Sequence, residues 1–181
     1  MHRGLPVFDI YQSNQDDSAR FVLGCAGERM VMCLGLNPST ASREKADTTV
    51  AKVAKVAKQS NYDGFVMVNL YPLRATITKT LPRSVDRGLY QANLTCLIET
   101  LARYQFQDIW AGWGQGIMLR SYFVDVLRAV VKHRQQLDTN WLQFGPLPLH
   151  GHPRHPSRLR YSWHFTNFDI DNYMERVVRD Q

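Results

Sequence analysis

The stretch MVMCLGLNPSTA, residues 30–41, joins an apolar run to a polar turn. Its first part, residues 30–34, has the continuous apolar character of a strand that is buried on both faces of a parallel sheet. Gly35 ends this run, and Asn37 then stands immediately before Pro38. Ligands of open α/β sheets bind at the carboxyl ends of the strands, so this turn is the first place to search for a functional site.

Three further apolar runs of strand length follow along the chain, within residues 64–73, 108–116 and 141–145, and amphipathic helical patterns alternate with them. The helical patterns consist of apolar residues at spacings of three and four: Val50, Val53, Ala54 and Ala57; Leu94, Leu97, Ile98 and Leu101; Leu119, Tyr122, Phe123, Val126, Val130 and Val131; and Ile170, Tyr173, Met174 and Val177. Asp47 is placed to cap the first of these helices. Strands that alternate with helices indicate a parallel sheet that is covered on both faces.

Two strand-like segments precede residue 30. Residues 8–13 and 19–26 flank a polar NQDD turn, which predicts an N-terminal β-hairpin. No internal repeat, low-complexity linker or change of composition divides the 181 residues. The sequence therefore predicts a single domain over residues 1–181. Its fold class is α/β, a three-layer α/β/α sandwich with a central, mostly parallel four-stranded sheet and the added hairpin.

Composition and charge restrict the class of protein. The chain has 22 Lys and Arg against 16 Asp and Glu, a net charge of +6, which permits a phosphate-bearing partner. We interpret Lys52, Lys55 and Lys58, opposite the apolar face of the first helix, as a solvated face. The three cysteines form no CxxC pair, which argues against a cysteine-held metal and favours a reducing compartment. No signal peptide or long apolar run is present, so we expect a cytoplasmic protein without a membrane partner.

The turns after the four central strands are expected to converge at one edge of the sheet, because parallel strands end on the same side. These turns are residues 37–40, 69–71, 113–116 and 150–157, and they contain two asparagines, a glycine turn and a histidine cluster. Such neutral groups suit the recognition of an amide-like edge and the stabilisation of an anion. They are poorly suited to chemistry by paired carboxylates or to magnesium binding, and we expect no cofactor.

Four motifs along the chain carry a resemblance to known families. LNPSTA, VNLYPLRAT, WAGWG and GHPRHPSRL together resemble the domain of unknown function family 1643, from about residue 8 to about residue 160. Their order also resembles the uracil-DNA glycosylase superfamily, which has a Gly-x-Asn/Asp-Pro turn, a strand ending in asparagine, a strand ending in Trp-Gly and a late His-Pro-Ser. The matching segments here are Gly35-Leu36-Asn37-Pro38, Val68-Asn69-Leu70, Trp113-Gly114 and His155-Pro156-Ser157.

The second resemblance implies a glycosylase fold and a role for each motif. Asn37 would orient the attacking water, Asn69 would read the Watson–Crick edge of a base, and His155 would stabilise the departing base as an anion. Further expected contacts are Gly35, Ser39 and Tyr71 to the base, Ser157, Arg154, Arg158, Arg160 and Gly114 to the nucleic-acid backbone, and Leu159 as a wedge. The expected substrate is a base in nucleic acid, DNA rather than RNA, or a nucleotide. The first turn lacks the Asp of the fastest uracil enzymes, which favours slow or non-uracil activity.

Two other functions stay open at this point. A non-catalytic reader of a modified base or nucleotide would use the same cleft. A metal-dependent hydrolase would use His150, His152 and His155, whose H-x-H-x-x-H spacing permits metal ligation. Asn37 and Asn69 also have purely structural interpretations, the first as a turn or cap residue and the second as a partner for backbone groups at a strand end.

Overall fold

The computed structural model describes residues 8–104, 106–134 and 139–179. The strands within these residues are β1 Ile10–Ser13, β2 Arg20–Cys25, β3 Met30–Gly35, β4 Gly64–Asn69, β5 Asp108–Ala111, β6 Asn140–Phe144 and β7 Phe165–Asn167. The helices are α1 Thr48–Gln59, α2 Arg87–Tyr104, α3 Ser121–Arg134 and α4 Ile170–Arg179. Short 3-10 helices lie at Thr78–Thr80, Gln115–Leu119 and Pro156–Arg158. The four central strands, the hairpin strands and the four helices therefore form where the sequence predicts them, except that Leu119 lies in the 3-10 helix before α3 and not in α3 itself.

The described strands form one sheet in the order β1-β2-β4-β3-β5-β6-β7. The four strands β4, β3, β5 and β6 pair in parallel. The hairpin strands pair antiparallel with each other, β2 pairs antiparallel with β4, and β7 pairs antiparallel with β6. The prediction of a four-stranded, mostly parallel sheet is therefore wrong: the sheet has seven strands, and three of its six pairings are antiparallel.

The physical reason lies in the two ends of the sheet. β2 is buried along almost its whole length, because it is an internal strand between β1 and β4 and its side chains pack on both faces of the sheet. An apolar run of this kind does not reveal its direction relative to its neighbours. β7 has three residues that are half-buried or exposed, which is too short a segment for a periodic pattern.

Helices cover both faces of the sheet, as the sequence predicts. Successive side chains of a strand point to opposite faces, so Val31 and Cys33 pack with α1, whereas Met32 and Leu34 pack with α2, α3 and α4. Helix α1 begins as predicted, because the Asp47 side chain accepts a hydrogen bond from the backbone N–H of Val50 at 2.9 Å. Within the described residues, no helix is both long and apolar enough to cross a membrane.

The topology brings several chain segments to one edge. The parallel strands β3, β4, β5 and β6 end at Gly35, Asn69, Ala111 and Phe144, and their carboxyl ends lie at the same edge of the sheet. Because β2 runs antiparallel to β4, it starts at this edge with Arg20. The edge therefore combines four strand ends with the beginning of a fifth strand.

Candidate functional site

A cleft opens at this edge between the turn after β3 and the start of α1. We call it the inner cleft; it has a volume of about 270 Å³. It is lined by Arg20, Asn37, Pro38, Ser39, Asp47, Thr49, Val50, Met67, Ala75, Thr76, Thr78, His155 and Ser157. A wider depression of about 660 Å³, the outer depression, shares Thr76, Thr78, His155 and Ser157 with it and reaches Gly114, Arg154 and Arg158. His155 therefore stands where the two spaces meet.

The imidazole of His155 is held in one tautomer. Its Nδ1 accepts a hydrogen bond from the backbone N–H of Ser157 at 3.2 Å and lies 2.8 Å from the Ser157 hydroxyl. A backbone N–H can only donate, so Nδ1 carries no proton and the proton of the neutral ring is on Nε2. Burial lowers the pKa of His155 from 6.5 to about 4; Asp47 opposes this shift and Arg158 adds to it. At neutral pH the ring is an uncharged N–H donor.

Gly114 lets the turn after β5 approach this histidine. Its φ of +70° lies in the left-handed region that favours glycine, and a Cβ at this position would lie 3.2 Å from the Cβ of His155. The turn therefore packs directly against the histidine backbone and side chain.

The amide of Asn69 is buried at the end of β4. Its side chain is fully inaccessible, and among the described residues neither Oδ1 nor Nδ2 has a hydrogen-bond partner. Gly35 lies opposite it in register, and a Cβ on Gly35 would come within 2.7 Å of Asn69 Oδ1. Met67, two residues before Asn69 and thus on the same face of the sheet, lines the inner cleft. The amide thus lies beside the cleft without itself lining it.

The amide of Asn37 joins two turns. Its Nδ2 donates to the carbonyl oxygens of Pro38 at 3.0 Å and Ala75 at 2.8 Å, and its Oδ1 accepts from the Thr78 hydroxyl at 3.1 Å. Both amide hydrogens are used in this way, and one lone pair of Oδ1 remains. Asn37 therefore holds the segment around residues 75–78 against the first turn, and it still lines the inner cleft.

Arg20 is a cleft residue that the sequence did not indicate. It is 1% exposed, and its Nη1 donates to the Ala41 carbonyl at 3.1 Å, whereas Nε has no partner within the described residues. Burial lowers its pKa from 12.5 to about 10, Arg74 lowers it further and Asp47 raises it. The guanidinium is therefore still charged at neutral pH. Only its position at the start of an antiparallel strand brings it to the site, and no local motif marks that position.

Asp47 is the second residue that the sequence did not assign to the site. Its Oδ1 accepts from the Val50 N–H and its Oδ2 from the Ala41 N–H at 3.3 Å. Each oxygen keeps further acceptor capacity. The carboxylate faces the inner cleft, although its sequence context indicated only a helix cap.

The other expected base and wedge residues are divided between surface and core. Ser39 lines the inner cleft. Tyr71 is fully buried, its ring centroid lies 4.7 Å from that of Tyr122, and it does not line the cleft. Leu159 is 7% exposed and packs in the core beneath α1. Neither Tyr71 nor Leu159 presents an apolar surface at the cleft in this structure.

The three expected arginines lie on the loop before β7. Arg154 donates from Nε to the Pro146 carbonyl at 2.8 Å, and its guanidinium lies 4.8 Å from the ring centroid of Trp163. Arg160 approaches the same ring at 5.8 Å. Arg158 is exposed and lines the outer depression together with Arg154.

The histidine cluster does not converge on one point. His150 Nδ1 accepts from the backbone N–H of His152 at 3.1 Å, and His152 Nδ1 lies 2.9 Å from the Tyr173 hydroxyl. His155 instead faces the cleft. In the part of the chain that the structure describes, no group of three His, Cys, Asp or Glu side chains could hold a metal ion.

Fold and site together define an α/β protein with a cleft at the carboxyl edge of its parallel strands, lined by amide, hydroxyl, imidazole, guanidinium and carboxylate groups. Residues 20–157 match the family described as "Protein of unknown function (DUF1643)". The match covers well over half of the chain, so the protein belongs to this family, as its motifs predict. No curated protein matches the chain.

Proposed function

We propose that the inner cleft receives a nucleic-acid base and that the protein hydrolyses the N-glycosidic bond of that base. The observation that carries this proposal is the neutral His155, whose tautomer leaves an Nε2–H donor at the junction of the two spaces. A base that leaves a sugar takes the bonding electron pair and becomes an anion, so a preorganised neutral donor stabilises the transition state. The motif order that resembles the uracil-DNA glycosylase superfamily supports the same chemistry.

Asn69 supplies the base-reading group in this proposal. An amide offers one donor and one acceptor, which complement the edge of an imide. Burying either group unpaired costs about 1–3 kcal/mol, and a base that reaches it recovers this free energy. A side chain at position 35 would collide with Asn69 Oδ1, so Gly35 keeps the space beside this oxygen open.

The attacking water needs an acceptor for its proton. Asn37 uses both amide hydrogens to hold the chain, so its contribution is limited to one lone pair of Oδ1. The Asp47 carboxylate lies in the same cleft and is the stronger acceptor. Water then attacks the sugar carbon, the C–N bond breaks with its electron pair going to the base, and Asp47 takes the proton.

Single-turnover base release from a panel of oligonucleotides with modified bases tests this proposal. Loss of one preorganised donor costs about 3 kcal/mol, so His155→Ala slows release roughly a hundredfold and leaves substrate binding nearly unchanged. Asp47→Asn keeps a capping side chain but removes the charge, and it also slows release. Asn69→Ala changes which base is accepted.

His133→Ala is the matched control and should retain the full rate. His133 lies on α3, which packs on the face of the sheet opposite to α1. Full rates for both His155→Ala and Asp47→Asn would eliminate the hydrolase proposal.

A non-catalytic base reader is the second candidate. It is favoured by the use of both Asn37 amide hydrogens in holding the chain, which leaves Asn37 no N–H to orient the attacking water. In that case the protein binds a modified base through Asn69, no variant releases base, and Asn69→Ala weakens binding. The same oligonucleotide panel separates the two candidates.

A further inference from the structure

The net positive charge of the chain is concentrated in two segments. Residues 48–62 and 145–168 contain no Asp or Glu. Their cations are Lys52, Lys55, Lys58, Arg154, Arg158 and Arg160. Without these six, 16 Lys and Arg remain against 16 Asp and Glu, so the two segments hold the whole excess of +6.

Direct contacts join these two segments. The Lys52 ammonium donates to the Ser157 carbonyl at 2.7 Å, and the Lys55 ammonium lies 3.9 Å from the ring centroid of Tyr161. Lys52 and Lys55 of α1 therefore face the loop before β7. The interpretation of these lysines as a merely solvated face does not account for these contacts, because a solvated face makes none with another segment.

Aromatic rings lie among the cations. Tyr161 is 41% exposed, which is unusual for a large ring that serves only the core. Trp163 lies beneath the guanidinium groups of Arg154 and Arg160. Gly145, with a φ of +77°, makes room for this indole, since a Cβ there would collide with the ring. The indole thereby orders the two arginines.

We propose that Lys52, Lys55, Arg154, Arg158, Arg160, Tyr161 and Trp163, the basic–aromatic surface, bind single-stranded DNA and lead it to the inner cleft. This inference rests on the proposed function for the identity of the cleft's ligand. Cations that follow a phosphate backbone, together with rings that stack on bases, are the means by which proteins bind single strands. The surface is continuous with the cleft, because Ser157 belongs to the cleft lining and accepts from Lys52.

The position of Leu159 removes the wedge that the sequence predicted, although Leu149 on the same loop is fully exposed. Proteins that take a base from a duplex commonly insert an apolar side chain where the stack opens. Leu159 is the apolar residue among the three arginines, but it is buried in the core beneath α1. A strand that is already unpaired needs no such wedge.

Fluorescence anisotropy with a labelled, unmodified single strand and its matched duplex tests the surface without any catalytic step. Single-stranded DNA should bind more tightly than the duplex. Its affinity should fall roughly a hundredfold between about 50 and about 200 mM salt, because several phosphate contacts release counterions.

Matched variants locate the contact. Lys55→Glu and Arg158→Glu should each weaken binding roughly tenfold. Lys132→Glu makes the same charge change at an exposed position of α3, and it should change affinity little. Tyr161→Ala should weaken binding at least fivefold with the same salt slope, and Tyr161→Phe should restore it.

The results of these binding measurements can be distinguished from the results of the base-release experiment. Selective single-strand binding without base release would keep the surface and overturn only the hydrolysis. Equal weakening by Lys132→Glu and Lys55→Glu, duplex binding as tight as single-strand binding, or no binding to DNA would each overturn the surface.

Discussion

The chemistry of the cleft depends on how His155 is held by the residue two positions after it. The backbone N–H of Ser157 donates to Nδ1, so protonation of Nδ1 would remove this hydrogen bond. Burial of the ring acts in the same direction by disfavouring the cation. Geometry and burial together keep the ring neutral over the physiological pH range.

An NMR titration of the His155 ring should therefore have its midpoint near pH 4 instead of 6.5. Asp47→Asn should lower the midpoint further, because the carboxylate favours the cation, and Arg158→Gln should raise it. The native state binds fewer protons than the unfolded state between these two pH values, so this histidine destabilises the fold as the pH falls from 6.5 to 4. A midpoint near 6.5 would contradict the half-buried, neutral donor.

The sequence predicted part of the site at this scale. Asn37, Ser39 and His155 line the inner cleft, because turns after parallel strands converge whatever their detailed conformation. Arg20 could not be predicted, because its place depends on the direction in which β2 pairs. Whether a turn side chain points to solvent or into the core depends on dihedral angles that no periodic pattern reports, which is why Tyr71 and Leu159 were expected at the surface.

Helix α1 serves both the fold and the site. Its apolar face packs on the sheet, its first turn lines the inner cleft, and its Lys52 and Lys55 face the loop before β7. The carboxylate that caps the helix is also the carboxylate of the cleft, so any test of its chemistry must preserve the cap.

Urea unfolding of two Asp47 variants separates these roles. Asp47→Ala removes the acceptor for the Val50 N–H and should lower the free energy of unfolding by about 1 kcal/mol. Asp47→Asn retains an oxygen at the same place and a residue type that caps helices equally well, so it should lose much less. Equal losses for the two variants would mean that charge, and not capping, stabilises this helix.

At the scale of elements, periodicity was a sufficient guide to the four helices, since each has a stripe of buried residues three and four positions apart. It was insufficient for the sheet. Strand β7 has only three residues. The antiparallel pairing of β2 with β4 is set by tertiary packing, because the apolar pattern of two such strands does not specify their relative direction. The sequence therefore predicted the central parallel strands but not how the sheet is extended at its edges.

At the scale of the whole molecule, the C-terminal helix α4 extends the core beyond the family match. It follows the matched residues 20–157, and its apolar side chains are nevertheless buried. Ile170, Tyr173 and Val177 are buried against the face of the sheet that α2 and α3 cover. The Trp113 indole N–H donates to the Tyr173 hydroxyl at 2.8 Å. Since Trp113 precedes the glycine that packs on His155, α4 supports the edge of the sheet that carries the cleft.

Tyr173→Phe tests this support. The substitution leaves the ring in place but removes the hydroxyl that accepts from the Trp113 N–H and also lies 2.9 Å from His152 Nδ1; Trp113 is 1% exposed. A buried donor without a partner costs about 1–3 kcal/mol, so the free energy of unfolding in urea should fall by that amount. Tyr161→Phe removes a hydroxyl from an exposed ring and should change it by less than about 0.5 kcal/mol. If the Tyr173→Phe and Tyr161→Phe proteins unfold at the same urea concentration, the Tyr173 hydroxyl contributes nothing to the stability of the cleft edge, and α4 is attached by its other contacts.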